Sequence, residues 1–157
     1  MGIVDSLNEG FELQANSDGE WVPYKGTYKV GCVALRPELD EQYGKYYQAE
    51  WNILEVLEGD MKRESRFSDF RRRYYVEGER AKENFRKLCN DFFTMGVEFD
   101  RSSDEAFDQS LGNAIHAQGY LRAWGWTKEG TDKMQQSFVI QKEKVAEKKR
   151  TAHSVGF

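Results

Sequence analysis

Histidine and cysteine are scarce in this chain, with two of each in 157 residues. His116 and His153 form no ligand or base pattern with Cys32 and Cys89, and there is no CxxC, HExxH or phosphate-binding loop. The glycines fit no dinucleotide fingerprint. Cofactor and metal chemistry therefore have no motif to start from, and His116 reads as a surface or hydrogen-bonded histidine. Cys32 falls in a strand-like run and Cys89 on an apolar helix face, so each reads as a buried thiol of a reducing compartment rather than half of a disulfide. No apolar run approaches the ~20 residues of a membrane span, and no signal-peptide pattern is present. A cytoplasmic protein without membrane contact is expected. Positive charge is also not in excess. The net charge of −4 argues against coating duplex DNA by charge alone, although it leaves room for a local basic groove.

What the chain does have is rings and charge: aromatics are 14% and charged residues 32%, beside a modest 39% hydrophobic total. The stretch Ile115 to Trp126 sorts these by alternation. Ile115, Ala117, Gly119, Leu121, Ala123 and Gly125 are small or apolar, whereas His116, Gln118, Tyr120, Arg122, Trp124 and Trp126 are large, flat or cationic. A strand sends alternate side chains to opposite faces, so the first set faces a core and the second faces out. Glycines on the inner face suit a sharply curved sheet. The outward rings suit a platform for stacking nucleic-acid bases. The competing reading is that a helix or neighbouring chain covers them as a second core.

Taken in order, residues 1–20 are polar and turn-rich and read as a loosely attached arm, with Phe11 and Leu13 as docking points. Trp21 to Leu35 carries the first strand signal, with Pro23 at its entry, and Arg36 to Tyr46 reads as an acidic loop. A second strand runs from Tyr47 to about Leu57, before the turn Glu58-Gly59-Asp60. A third starts near Met61 or Lys62 and runs through Ser65–Phe70 into Arg71–Tyr75. There Arg66, Phe70, Arg71, Arg72 and Arg73 belong to the densest basic-aromatic cluster of the chain. Ala81, Phe85, Leu88, Cys89 and Phe92 recur at helical spacing, with Gly96 as the stop. Ser102–Glu105 opens a short second helix, in which Asp100, Asp104 and Asp108 read as a solvated face beside a cap. After the Ile115–Trp126 strand, Thr127–Asp132 reads as a hairpin turn into a last strand from Met134 to Gln141. Residues 143–157 read as a flexible charged tail, leaving one domain over residues 21–142 and no repeat.

Three strands, a helix, a short helix and two strands is the element order of the OB-fold. The expectation is a mainly β, five-stranded barrel with a helix between strands three and four. Gly26-Thr27-Tyr28-Lys29-Val30, Tyr47 to Glu55, Glu58-Gly59-Asp60-Met61-Lys62 and the late Gly119-to-Trp124 strand give the chain a layout that resembles a family of small bacteriophage proteins with OB-like folds. The resemblance covers about residues 21–142 and implies binding of single-stranded DNA in phage replication or recombination. Many such proteins end in an acidic tail with a terminal aromatic that recruits replication partners. Here Phe157 is present, but Lys142, Lys144, Lys148, Lys149 and Arg150 face only Glu143 and Glu147, which points the tail toward phosphates instead.

The residues expected to contact DNA are Tyr120, Arg122, Trp124 and Trp126 of the fourth strand, with Arg66, Phe70, Arg71, Arg72 and Arg73 of the third. Phe67 and Trp51 are expected to point inward, and Tyr43, Tyr46 and Tyr47 to pack the first loop. The bland reading of the arginines is a charged edge that discourages strand aggregation. No enzyme is expected. The rivals are a protein-interaction module using the same aromatic face, through a replication protein or an identical subunit, and a small metal-dependent nuclease for which no catalytic set stands out.

Overall fold

A computed structural model of the chain describes Ile3 and residues 21–142; the expected arm and tail lie outside the described residues. Five strands form one antiparallel sheet in the order β3-β2-β1-β4-β5. They are β1 (Gly26–Asp40), β2 (Gly44–Gly59), β3 (Phe70–Tyr75), β4 (Gln118–Thr127) and β5 (Met134–Gln141). Between β3 and β4 stand α1 (Ala81–Thr94), α2 (Asp104–Ser110) and a 3₁₀ turn (Leu111–Ala114). The fold is mainly β, in the element order read from the sequence. Among the described residues no helix is long and apolar enough to cross a membrane.

β1 and β2 are unusually long because they pair from Gly26↔Gly59 to Asp40↔Gly44. The acidic segment after Leu35 is thus strand rather than loop. Register shifts at Thr27/Tyr28, Lys29/Val30 and Cys32/Ala34 bend this ribbon as β-bulges do. The bend wraps Tyr28, Val30, Cys32, Ala49, Trp51 and Ile53 around one core. Pro37 is tolerated because β4 pairs only with Gly26–Gly31, leaving the far half of β1 without a partner on that side.

α1 closes the bottom of the core. Leu88 and Phe92 are buried, with Phe85 and Cys89 partly so. Phe92 stacks on Trp51 at 5.7 Å between centroids. Burying each such ring stabilises the fold by about 1.5–3 kcal/mol. The helix stops at Gly96, whose φ of 87° only glycine adopts cheaply, while the Val97 amide bonds back to the Phe92 carbonyl at 2.8 Å. α2 is capped by the Ser103 hydroxyl, which accepts the Ala106 amide at 3.0 Å. Asp108 is not a solvated face, since it accepts the Tyr47 hydroxyl at 2.6 Å and the Lys45 ammonium at 3.0 Å, tying α2 to β2.

Two expectations about the sheet are corrected. β3 begins at Phe70, not near residue 61, because the Asp69 carboxylate accepts the Ile53 amide at 2.8 Å and ends the ladder there. The sheet is also not closed into a barrel: β3 and β5 are its two edges. They approach without pairing, with the Phe70 and Phe138 rings 5.3 Å apart. The Arg72 guanidinium donates to the Phe138 carbonyl, taking an acceptor that a closing ladder needs.

Candidate nucleic-acid interface

The basic-aromatic cluster is divided by strand phase. Along β3, Phe70 and Tyr74 are buried and Arg72 half-buried, while Arg71 and Arg73 stand in solvent. Phe70 is therefore not a stacking platform. It is 2% exposed and packs against Tyr24 at 5.3 Å and Tyr28 at 5.8 Å. Arg72 is corrected in the same way, because its charge is matched within the protein. Its Nη1 lies 3.1 Å from Asp91 Oδ2 and its guanidinium 4.0 Å over the Phe138 ring. Tyr74 donates to the same Asp91 oxygen at 2.6 Å, and burial pushes its phenol well above the ordinary range. These bonds make Arg72 a tie across the open edge from β3 to α1 and β5.

Arg71 and Arg73 remain available. The Arg71 guanidinium is 5.5 Å from the Phe67 ring, and that of Arg73 is 4.9 Å from the Tyr46 ring. Phe67 is 63% exposed, contrary to the inward reading, because the loop before Phe70 does not share the strand's alternation. Trp51 is fully buried as expected. Tyr46 and Tyr47 are packed, and the exposed Tyr43 leans edge-on against Tyr75 at 5.7 Å. Arg66 is exposed on the loop, next to Arg63 and Phe67.

That loop is held in place from below. Asp69, buried at its carboxylate, accepts the Tyr24 hydroxyl at 3.1 Å, and the Tyr24 oxygen in turn accepts the Arg63 amide at 3.1 Å. The Arg63 guanidinium lies 3.9 Å over the Tyr24 ring and donates to the Val22 carbonyl. From β5, Gln136 donates to the carbonyls of Tyr24 at 3.0 Å and Trp124 at 2.8 Å. The result is an open groove of about 540 Å³ along the gap between β3 and β5. Arg63, Arg71, Arg72 and Arg73 line it against only Glu64 and Asp69. Trp21 and Phe67, 61% and 63% exposed, are its rings. Sequence reasoning missed Trp21, Arg63 and Gln136. They come from distant segments (the Tyr24–Gln136 bond beside them joins residues 112 apart), and no local pattern announces their meeting.

The alternation of β4 is observed from Gln118 onward: Leu121 and Ala123 are buried, while Arg122, Trp124 and Trp126 are exposed and Tyr120 is half-buried. Before that the burial still alternates, with Ile115 and Ala117 half-buried and His116 exposed, but the strand starts only at Gln118 because His116 adopts φ 73° while its amide bonds to the Cys32 carbonyl at 2.9 Å. Trp124 and Trp126 are 37% and 46% exposed, so no helix among the described residues covers them. Arg122 lies 5.4 Å over Trp124, and the Trp126 indole N–H donates to Ser137 at 2.7 Å.

The two expected clusters do not line one groove. Across the sheet they stand at opposite ends of the long hairpin. Arg73 pairs with Gln48 and, through it, with Arg36, whereas Tyr120 pairs with Lys29. Positions 36 and 29 of β1 are roughly 20 Å apart at ~3.3 Å per strand residue. In the other direction, over the open edge, only β5 separates the groove from the tryptophans.

Among the described residues no three His, Cys, Asp or Glu side chains converge as metal ligands. No protein-family model matches the chain, and no curated protein matches it.

Proposed function

We propose that this protein binds single-stranded DNA with little sequence preference, in phage replication or recombination. The observation that carries the binding is the groove in which Trp21 and Phe67 stand open beside Arg63, Arg71 and Arg73. The phage setting comes from the resemblance of the chain's layout. Unstacked bases have free faces for the two rings, and each stack contributes ~1–3 kcal/mol without reading the base. The guanidiniums supply phosphate contacts and planar stacking of their own. A duplex keeps its bases occupied and meets a protein of net charge −4, so single strands are favoured. The protein-interaction reading draws on the open Trp124 and Trp126, which would equally suit a partner surface.

The test is anisotropy of labelled oligo-dT, the matching RNA and a duplex at two salt concentrations, with size-exclusion mass measured alongside. Salt-sensitive binding of the single strand, with the duplex much weaker, is the expected outcome. No binding at low salt, or a dimer that hides the tryptophans and ignores oligonucleotide, overturns it.

A further inference from the structure

We propose that Trp124 and Trp126 form a second stacking subsite on the same DNA track as the groove, reached over the free edge of β5. The inference rests on the single-strand reading above and extends the site across β5 to the outward rings of β4. Among the described residues β5 pairs only with β4, so its other edge faces the groove. The Phe138 carbonyl points out of that edge, toward Arg72. Because backbone polar groups of alternate strand residues point the same way, those of Gln136 point there too. Gln136 lines the groove, and its ladder partner is Gly125, which sits between the two tryptophans. Ser137, the next residue, faces the opposite side, pairs with Trp124 and receives the Trp126 indole N–H at 2.7 Å.

A chain leaving the groove at Gln136 thus has one strand width, about 4.8 Å, to cross before it meets the indoles. Polar side chains, Gln135, Gln136 and Ser137, line the crossing, and no acidic residue lies in β5. Arg122, stacked over Trp124, supplies a cation at the far end. The alternative route across the convex face is several strands wide, and its Glu50 carboxylate is already paired with Arg36 at 2.8 Å. The edge route is therefore favoured by its shortness.

The experiment is a length series of oligo-dT, from four to sixteen nucleotides, on the full chain. A four-nucleotide strand is expected to bind the wild type and Trp124→Ala/Trp126→Ala alike. Longer strands are expected to gain about tenfold or more per stacked indole on the wild type, a gain that the double variant loses. Gln135→Glu keeps the Ser137 acceptor of the Trp126 indole but sets a negative charge beside the crossing, and it should erase the same gain while sparing the short strand. Equal loss for short and long strands, or a length gain retained in both variants, overturns the shared track. Failure of the wild type to bind any length overturns the groove reading itself, and the two failures are told apart by the four-nucleotide strand.

Discussion

Neighbouring residues of like chemistry play opposite parts in this protein, and single substitutions separate them. Phe70→Ala removes a ring from the core and is expected to cost about 3–5 kcal/mol in urea denaturation. Phe67→Ala removes an exposed ring from the groove, so stability should stay within about 0.5 kcal/mol while oligo-dT affinity falls. The inner-face glycines differ as well. A Cβ at Gly125 would lie 2.4 Å from Pro23 Cγ, in a rigid and buried ring, whereas at Gly119 it would meet the flexible Met95 Cγ at 2.8 Å. Gly125→Ala should therefore lower stability by about 1–3 kcal/mol and Gly119→Ala by less. Titration adds a third distinction. Burial pushes the Cys32 thiol from its ordinary 9.0 to about 11, so the folded state favours the protonated form. That contribution is complete below pH 9 and is lost as pH rises toward 11. Cys32→Ala should flatten this part of the alkaline decline in stability, leaving the later part that Tyr28, raised to about 12, contributes.

At the scale of elements, β3 carries two functions on its two faces. Its outer face presents Arg71 and Arg73; its inner face ties the open edge together through Arg72, Asp91 and Tyr74. Removing Asp91 leaves a half-buried guanidinium and a buried hydroxyl without their acceptor, a cost of about 1–3 kcal/mol per stranded group. Asp91→Ala should thus be destabilising with little direct effect on the groove's outward arginines. Arg71→Ala/Arg73→Ala should do the reverse. Each lost phosphate contact on a single strand lowers the slope of log K against log salt by about 0.7, so the pair should flatten it by roughly 1.4. A slope unchanged in the double variant would remove both residues from the interface.

For the whole molecule, the consequence of an unclosed sheet is an uneven distribution of stability. β1 has a strand on each side along its first half, whereas β5 is paired on one side only. Hydrogen exchange should be slowest in Gly26–Gly31 of β1 and faster along β5, with saturating single-stranded DNA slowing β5 if the strand crosses its edge. Protection confined to β3 and the loop before it would place DNA in the groove alone.

Alternation determined much of this from sequence. A period of two needs only neighbouring residues, so the outward Arg122, Trp124 and Trp126 and the inward Leu121 and Ala123 were legible, as was the amphipathic face of α1. Strand phase could not be extended to Phe67, because the phase depends on where β3 starts, and Asp69 sets that start by bonding to Ile53 from another strand. Nor could the sequence divide Arg71 and Arg73 from Arg72, whose charge is taken by Asp91 on a helix. Which charges stay free, which rings meet and which edge stays open are properties of pairs distant along the chain. Only tertiary structure decides them, because burial and pairing, not residue type, set whether a ring or a cation remains available to a ligand.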